Sequence, residues 1–285
     1  MRIDAHQHYW KLERGDYDWL NAPVVAPIRR DFLPPDLAPE LARHRIDRTV
    51  VVQAAATRAE TDFLLDLADA EASIAGVVGW LDVEASDFTS LLPRYLGRPK
   101  FLGIRPMLQD LPDDRFLVRP RVLEHLGELA RAGRTLDLLV LPRHLPIAAL
   151  ALEKVPGIRA VVDHCAKPDI RGASLAAWRS GITRIAEHPN VMCKLSGLVT
   201  EAAGGAPASE FAPAVEHVLD AFGPDRLLFG SDWPVCTLAA SYDRVVGLLV
   251  EVLGSRLDGP FERKLFGENA ARFYGVAADP ALSRS

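Results

Sequence analysis

The sequence predicts an α/β protein in which residues 1–285 form a single domain, a (β/α)8 TIM barrel. Three observations support this fold class: short apolar runs recur along the chain, segments of helical periodicity separate several of them, and polar side chains collect where the runs end. The 285 residues are compatible with one such barrel, which takes about 250 residues.

Eight runs are predicted as strands because most of them are nearly continuous in valine, isoleucine and leucine. Such continuity is typical of strands that are buried on both faces, as in a parallel sheet. In chain order the predicted strands cover residues 2–8, 48–54, 76–83, 101–108, 135–142, 159–166, 191–198 and 226–234.

Between several of these strands, apolar residues repeat at helical spacing. The predicted helices cover residues 60–72, 119–133, 174–189 and 211–224, and Gly133 is a natural end for the second. Regular alternation of strand and helix favours the barrel. A doubly wound open sheet is the alternative, but no glycine-rich phosphate loop follows the first strand.

Two segments are predicted as loops at the mouth of the barrel. Residues 9–41 have no clean period and are rich in proline and aromatic residues, and a loop of this length is usually functional. Trp10, Tyr17 and Trp19 are candidates either for stacking on an apolar ligand face or for packing as a rigid cover. Residues 200–211 form a second candidate rim loop.

Composition and charge exclude several classes of function. The net charge of −5 argues against a nucleic-acid surface, and no apolar run reaches the roughly 18 residues that a membrane span needs. The three cysteines, Cys165, Cys193 and Cys236, are far apart, and no basic and apolar leader is visible at the start. We therefore expect a reduced, cytoplasmic protein that binds neither nucleic acid nor membrane. The sequence is compatible with a homo-oligomer.

The ends of the predicted strands carry most of the candidate site residues. In the first strand, His6 and His8 are two residues apart, so both side chains point to the same face. Polar groups at the ends of most of the strands are hard to explain by core packing, because each buried charge is costly unless it is paired. The other candidates are Gln53, Trp80, Asp82, Arg105, Asp163, His164, Lys194, Ser196, Ser231, Asp232 and Trp233, with His144 just after the fifth strand.

Several of these residues have two interpretations. His6, His8 and Asp232 could hold a single divalent ion such as Zn²⁺, or they could form a hydrogen-bonded cage without metal. Arg105 is either a donor to a developing oxyanion or the partner of a buried carboxylate. Lys194 either reaches the ligand or pairs with a carboxylate under the rim of the barrel.

Six motifs spread over nearly the whole chain indicate one family. They are DAHQHYW, LGIRPMLQDLP, VVDHCAKP, CKLSGLVTEA, LFGSDWPVC and FGENAARFYG. Together they resemble the amidohydrolase superfamily, and within it the branch of sugar-lactone hydrolases. The resemblance implies a (β/α)8 barrel that hydrolyses an aldonolactone of the L-fuconolactone or L-rhamnonolactone type.

The sequence also departs from the pattern of this superfamily. Binuclear members place a carboxylated lysine at the end of the fourth strand, where this chain has Arg105. Mononuclear members add a histidine at the end of the fifth strand, and residues 135–142 contain none. The resemblance therefore implies an incomplete metal-ligand set. We expect that no cofactor is required, although one divalent metal such as zinc could bind.

Lactone hydrolysis needs a nucleophile, a base and stabilisation of the oxyanion. Asp232 is the predicted general base, which activates a water molecule, and Arg105 is the predicted oxyanion donor. His164 positions the carbonyl group or protonates the leaving oxygen, while His6 and His8 orient Asp232 or the water. The predicted substrate-binding residues are Trp10, Gln53, Trp80, His144, Lys194 and Trp233.

Other functions are weaker alternatives. A carboxylated lactone such as 2-pyrone-4,6-dicarboxylate would need several arginines at the strand ends, and only Arg105 is clearly placed there. The missing histidine of the fifth strand argues against a metal-dependent decarboxylase. A barrel that binds without catalysis would not need a convergent ionisable site.

Overall fold

The computed structural model describes residues 1–172 and 174–276, in which eight parallel strands form a barrel. The strands are β1 (Ile3–Gln7), β2 (Arg48–Val52), β3 (Ile74–Gly79), β4 (Phe101–Ile104), β5 (Thr135–Leu138), β6 (Arg159–Val162), β7 (Val191–Leu195) and β8 (Leu227–Phe229). Each strand pairs with the next along the chain. The ring closes where Gln7 bridges Trp233 and the His8 N–H donates to Trp233 O over 2.8 Å. The predicted fold class is confirmed.

Helices surround the barrel and connect its strands. Within the described residues they are α1 (Pro34–His44), α2 (Arg58–Ala70), α3 (Phe88–Leu96), α4 (Pro120–Arg131), α5 (Leu145–Lys154), α6 (Ala176–Ala186), α7 (Ala208–Phe222), α8 (Tyr242–Leu253), α9 (Gly259–Arg263) and α10 (Asn269–Tyr274). The four predicted helices correspond to α2, α4, α6 and α7, with ends within three residues of those predicted. None of the helices described is long and apolar enough to cross a membrane.

The prediction that residues 9–41 form one loop is wrong at its C-terminal end, because α1 begins at Pro34. Pro34 and Pro35 occupy the first turn, where a missing N–H removes no helical hydrogen bond. Leu37 and Leu41 lie four residues apart and are buried. The prolines concealed this apolar spacing in the sequence. The earlier part of the segment contains short 3-10 turns.

The predicted strands are too long at the ends that carry the candidate site. β6 ends at Val162 and β8 ends at Phe229. The residues beyond them leave the sheet because positions 164–167 and Asp232 have positive φ angles, which no strand contains. These departures place side chains over the C-terminal mouth of the barrel.

The other end of the barrel is covered by α10. Its residues Phe273 and Tyr274 pack against Ile3, Leu102 and Met192, which lie near the N-terminal ends of their strands. The barrel is therefore filled from this side, and the candidate site lies at the C-terminal ends of the strands, as is general for this fold.

Candidate active site

A cavity of about 250 Å³ opens at the C-terminal ends of the strands. Its polar lining consists of His8, Arg105, Gln109, Asp110, His164, Lys167, Thr200 and Asp232. Its apolar lining consists of Trp19, Ala54, Met107, Leu139 and Val235. A concave site with an apolar wall and a few convergent polar groups is the usual form of a small-molecule site.

Asp232 is the centre of the polar side. Its Oδ1 lies 3.3 Å from His8 Nε2, 3.8 Å from His6 Nε2 and 3.9 Å from His164 Nε2. The Asp232 N–H donates to His6 O over 2.8 Å, which ties the turn after β8 to β1. His6 and His8 therefore both approach Asp232, as the alternation of side chains in the first strand predicts.

A buried carboxylate beneath the site holds these two strands together. Asp4 Oδ1 accepts the N–H of Ser231 over 2.9 Å and the N–H of His6 over 3.1 Å, while its Oδ2 accepts the hydroxyl of Tyr242 over 3.1 Å. Each bond reaches a residue next to or near the site. Asp4 therefore fixes the relative position of His6 and Asp232.

The hydrogen bonds of His8 define its tautomer. Its Nδ1 lies 2.7 Å from Val52 O, and a carbonyl oxygen only accepts, so Nδ1 carries a proton. In a neutral His8, Nε2 is then an unprotonated acceptor that faces the acceptor Asp232 Oδ1 at 3.3 Å. Two facing acceptors repel each other unless a proton or another cation lies between them. The space between His8 Nε2 and Asp232 Oδ1 therefore favours a cation or a strong hydrogen-bond donor.

Arg105 follows β4 and is buried in the cavity wall. Its guanidinium donates to Gln53 O, and its Nη1 lies 3.4 Å from His6 Nε2 and 3.6 Å from Asp163 Oδ2. Gln53 in turn donates to Arg105 O over 2.8 Å. Arg105 therefore contacts a buried carboxylate, as one of its two interpretations requires, and its side chain also lines the cavity.

The chain after β6 forms a tight left-handed turn. His164, Cys165, Ala166 and Lys167 have φ angles of 53°, 53°, 57° and 50°, and the Lys167 N–H donates to His164 O over 2.8 Å. A left-handed conformation costs L-residues about 1–2 kcal/mol each, and it rarely extends beyond one residue. His164 and Lys167, the first and last residues of the turn, both line the cavity.

Contacts from neighbouring elements stabilise this turn. Trp178 Nε1 donates to Cys165 O over 2.7 Å, and His164 Nδ1 lies 2.9 Å from Ser196 Oγ. Gly197 packs directly on the imidazole, since a Cβ at this position would lie 2.5 Å from His164 Nδ1. Ser196 and Gly197 therefore fix the imidazole of His164, while Trp178 holds the turn at Cys165.

Comparisons with known proteins identify the family. The amidohydrolase profile matches residues 3–276 of the chain. The chain belongs to the amidohydrolase family. It is 42% identical to the L-fucono-1,5-lactonase of Burkholderia ambifaria, with 97% of this chain and 96% of that protein aligned. It is 40% identical to the L-fucono-1,5-lactonase of Burkholderia multivorans, with 100% and 99% aligned.

A solved structure shares both the fold and much of the sequence. A zinc-bound amidohydrolase from Burkholderia multivorans superimposes on this chain with a TM-score of 0.93 at 38% identity, covering 97% of this chain and 100% of that one. The barrel and the elements around its mouth are therefore common to both amidohydrolases.

Electrostatics keep the central carboxylate of this amidohydrolase ionised. Burial favours the neutral form of Asp232, but its electrostatic interactions with His164 and His6 and its contact with His8 Nε2 outweigh burial and hold its pKa well below the usual range. Burial lowers the pKa of His164 to about 4, against the opposing effect of Asp232. At neutral pH the site therefore contains a carboxylate next to a neutral imidazole.

Lys194 lies beneath the cavity and does not line it. Its Nζ is 2.5 Å from Asp137 Oδ2, 3.0 Å from Asp163 Oδ1 and 3.1 Å from His6 Nδ1, and the side chain is fully buried. Tyr274 donates to Asp137 Oδ2 over 3.0 Å. The geometry supports the interpretation in which Lys194 pairs with carboxylates under the rim, where it contacts His6 from below.

Of the tryptophans near the mouth, only Trp19 lines the main cavity among the described residues. Trp10 is fully buried, donates from Nε1 to Arg30 O over 2.7 Å and packs on Trp19. Trp233 is buried against Phe32. Trp80 lines a separate cavity of about 280 Å³. Trp10, Trp80 and Trp233 therefore do not line the main cavity, in contrast to their prediction as substrate-binding residues.

His144 and Gln53 are also near the site without lining the cavity. His144 Nδ1 accepts the N–H of Leu141 over 3.1 Å, and its Nε2 lies 2.9 Å from Asp114 Oδ1. Gln53 is fully buried behind Arg105. Both residues support neighbouring groups through these bonds.

Some residues of the cavity escaped the sequence analysis. Lys167 was not predicted because the predicted strand ended at residue 166. Lys167 is nevertheless part of the motif VVDHCAKP. Thr200 lies at the start of the predicted second rim loop. The apolar wall residues Met107, Leu139 and Val235 carried no signal, because nothing in a sequence separates them from core residues.

The donor set fits a divalent metal ion. One nitrogen each from His6 and His8 and one oxygen from Asp232 lie within 4.8 Å of one another, and this combination of imidazole and carboxylate suits zinc. The tautomer of His8 leaves Nε2 free to bind a cation. The Arg105 guanidinium, 3.4 Å from His6 Nε2, opposes a second positive charge there.

Proposed function

We propose that this protein is a lactonase that opens the ring ester of a sugar aldonolactone, with L-fucono-1,5-lactone as the first candidate substrate. The named activity of two relatives at 42% and 40% identity supports the reaction class. The observation that carries the proposal is that an ionised carboxylate, Asp232, and a permanent cation, Arg105, both line one small cavity.

Asp232 acts as the general base. Its carboxylate accepts a hydrogen bond from a water molecule and takes the proton of that water as the oxygen attacks the carbonyl carbon of the lactone. His8 and His6 restrict the carboxylate to one orientation. A small displacement of the water would lower the rate strongly, because the attacking oxygen must approach in line.

Arg105 stabilises the charge that forms on the carbonyl oxygen. A guanidinium stays protonated throughout, and a donor fixed before the reaction needs no reorganisation in the transition state. The bond to Gln53 O holds it in place. His164, held by Ser196 and Gly197, positions the carbonyl group from the other strand end.

The cavity fits one sugar ring with a neutral charge. Its volume of about 250 Å³ is small for a ligand site, and the formal charges of its lining sum to zero, with two cations, Arg105 and Lys167, and two acidic groups, Asp232 and Asp110. A dicarboxylate would lack the cluster of arginines that it needs. The apolar wall with Met107 faces ring carbons, while the polar side faces hydroxyl groups.

A divalent ion would be held by His6, His8 and Asp232. When bound, such an ion polarises a carbonyl group and lowers the pKa of a water ligand. We propose that this ion is not needed for turnover, since Asp232 and Arg105 supply a base and an oxyanion donor by themselves.

A hydrolysis screen tests the proposal. The purified protein is assayed against a panel of 1,4- and 1,5-aldonolactones with a pH indicator, with and without chelator, and Asp232→Asn serves as the control. We expect proton release above the spontaneous rate for L-fucono-1,5-lactone and close stereochemical relatives. Equal rates for the wild type, the variant and buffer across the panel would refute the proposed function.

A further inference from the structure

The cavity contains a lysine that forms no close ion pair, although Glu201 interacts with it electrostatically. Lys167 lines the cavity, and among the residues that the structure describes no carboxylate oxygen lies within the 4.0 Å that defines an ion pair with its Nζ. A charged group in a partly enclosed cavity is costly unless something pairs with it. We therefore expect Lys167 to interact with a group of the bound ligand.

The backbone conformation fixes Lys167 at the wall of the cavity. The turn formed by residues 164–167 is left-handed throughout, although none of the four is glycine. Cys165 and Ala166 are fully buried, so the turn directs its two ends, His164 and Lys167, into the cavity. Strained backbone of this kind persists where the side chains it places are needed, which makes Lys167 a candidate for function.

Two other polar groups near Lys167, namely Arg105 and His164, are already held by protein partners. Arg105 is held by Gln53 O and Asp163, and a guanidinium does not release a proton. His164 is held at Nδ1 by Ser196, and its Nε2 faces Asp232 at 3.9 Å. Of the groups discussed, Lys167 is the one cation that has no carboxylate within ion-pair distance and is able to transfer a proton.

We propose that Lys167 is a further catalytic residue, the acid that protonates the ring oxygen as the lactone opens; this inference rests on the proposed function. The water oxygen bonds to the carbonyl carbon while Asp232 takes one proton. The bond from the carbonyl carbon to the ring oxygen then breaks, and that oxygen keeps the electron pair and receives a proton from Lys167 Nζ. The proton on Asp232 returns through solvent to the Lys167 amine, and the hydroxy acid leaves.

Substitution and chemical rescue test the proposal. Lys167→Ala should lower kcat about 10²-fold or more while KM stays nearly unchanged, because a general acid acts mainly in the transition state. Methylammonium, which carries a proton, should restore part of the activity, whereas tetramethylammonium, which carries only charge, should not. Lys167→Arg should stay slow, since its proton is not released. Lys154→Ala, an exposed lysine at the end of α5, is the matched control with wild-type kinetics expected.

Each outcome separates the alternatives. Rescue by both cations, or full activity of Lys167→Arg, would show that charge alone matters and overturn the proton transfer. A rise in KM with unchanged kcat would reduce Lys167 to a binding residue, which also overturns it. Lys167→Asn is the second variant if alanine does not fold, because asparagine tolerates positive φ. A wild type that opens no lactone would refute the proposed function itself, and the inference with it.

Discussion

A buried glutamate outside the cavity should make the stability of this amidohydrolase depend on pH. Glu60, in the first turn of α2, is fully buried and accepts the hydroxyl of Tyr17 over 2.5 Å and the N–H of Ala54 over 3.1 Å. Burial raises its pKa from 4.5 to about 7, against the opposing effects of these hydrogen bonds. These contacts connect α2 to the segment that carries Trp19, which lines the cavity.

The folded protein therefore holds a proton on Glu60 more tightly than the unfolded chain does. The stability that this proton contributes is fully present below pH 4.5 and is lost as the pH rises through about 7. The rise of the pKa from 4.5 to about 7 corresponds to about 3.4 kcal/mol in total, of which about 2–3 kcal/mol is lost between pH 5 and pH 8. Glu60→Gln, which has no such proton, should not show this loss.

Urea unfolding followed by tryptophan fluorescence measures the effect. We expect the free energy of unfolding of Glu60→Gln, relative to the wild type, to rise by about 2–3 kcal/mol from pH 5 to pH 8. The matched control is Glu13→Gln, whose side chain is 77% exposed and whose difference from the wild type should not change with pH. A Glu60→Gln difference that is flat between these pH values, or that falls, would refute the reasoning.

Two substitutions test the catalytic roles directly. Asp232→Asn should lower kcat about 10²–10⁴-fold with the fold intact, the usual loss for a positioned base, and near-native turnover by the folded variant would refute this role. Arg105→Ala should lower kcat about 10²–10³-fold, and Arg105→Lys should restore only part of it because lysine lacks the planar set of donors. A change in thermal stability without any change in kcat would instead leave Arg105 as a structural partner of Asp163.

The fold and the centre of the site were predictable because they depend on local patterns. The strands are buried on both faces, so their apolar runs marked them directly. The alternation of side chains in β1 placed His6 and His8 together, and the closure of the barrel brought them to Asp232. The chain positions where the parallel strands end were thus sufficient to locate the candidate site of this barrel.

The positions of the residues around this centre depend on contacts between distant parts of the chain. The left-handed turn before Pro168 is stabilised by Trp178 and Gly197, and no local propensity favours it. The segment after β1 has no period, so the sequence could not show that Trp19 faces the cavity while Trp10 faces the core. Lys194 appeared at a strand end, but only the structure shows that it points below the site.

The last prediction concerns the metal, because it decides what the two histidines of β1 do. The end of β4 supplies Arg105 and the chain after β5 supplies Leu139 to the cavity, so neither adds a metal ligand. His6, His8 and Asp232 remain as a three-ligand site, with the guanidinium of Arg105 3.4 Å from His6 Nε2. Such a site should bind zinc weakly, since a neighbouring positive charge opposes the ion.

We therefore expect purified protein to contain less than one zinc ion per chain and to keep its activity after exhaustive chelation. The metal content and the turnover are measured on the same sample, before and after chelation and after zinc is added back. In this case His6→Ala and His8→Ala should lower kcat by misplacing Asp232 and its water, with the same factor in chelated and zinc-loaded protein. If activity instead falls in proportion to the remaining metal and returns with zinc, the metal-independent reaction is wrong. The two histidines are then ligands of a catalytic ion.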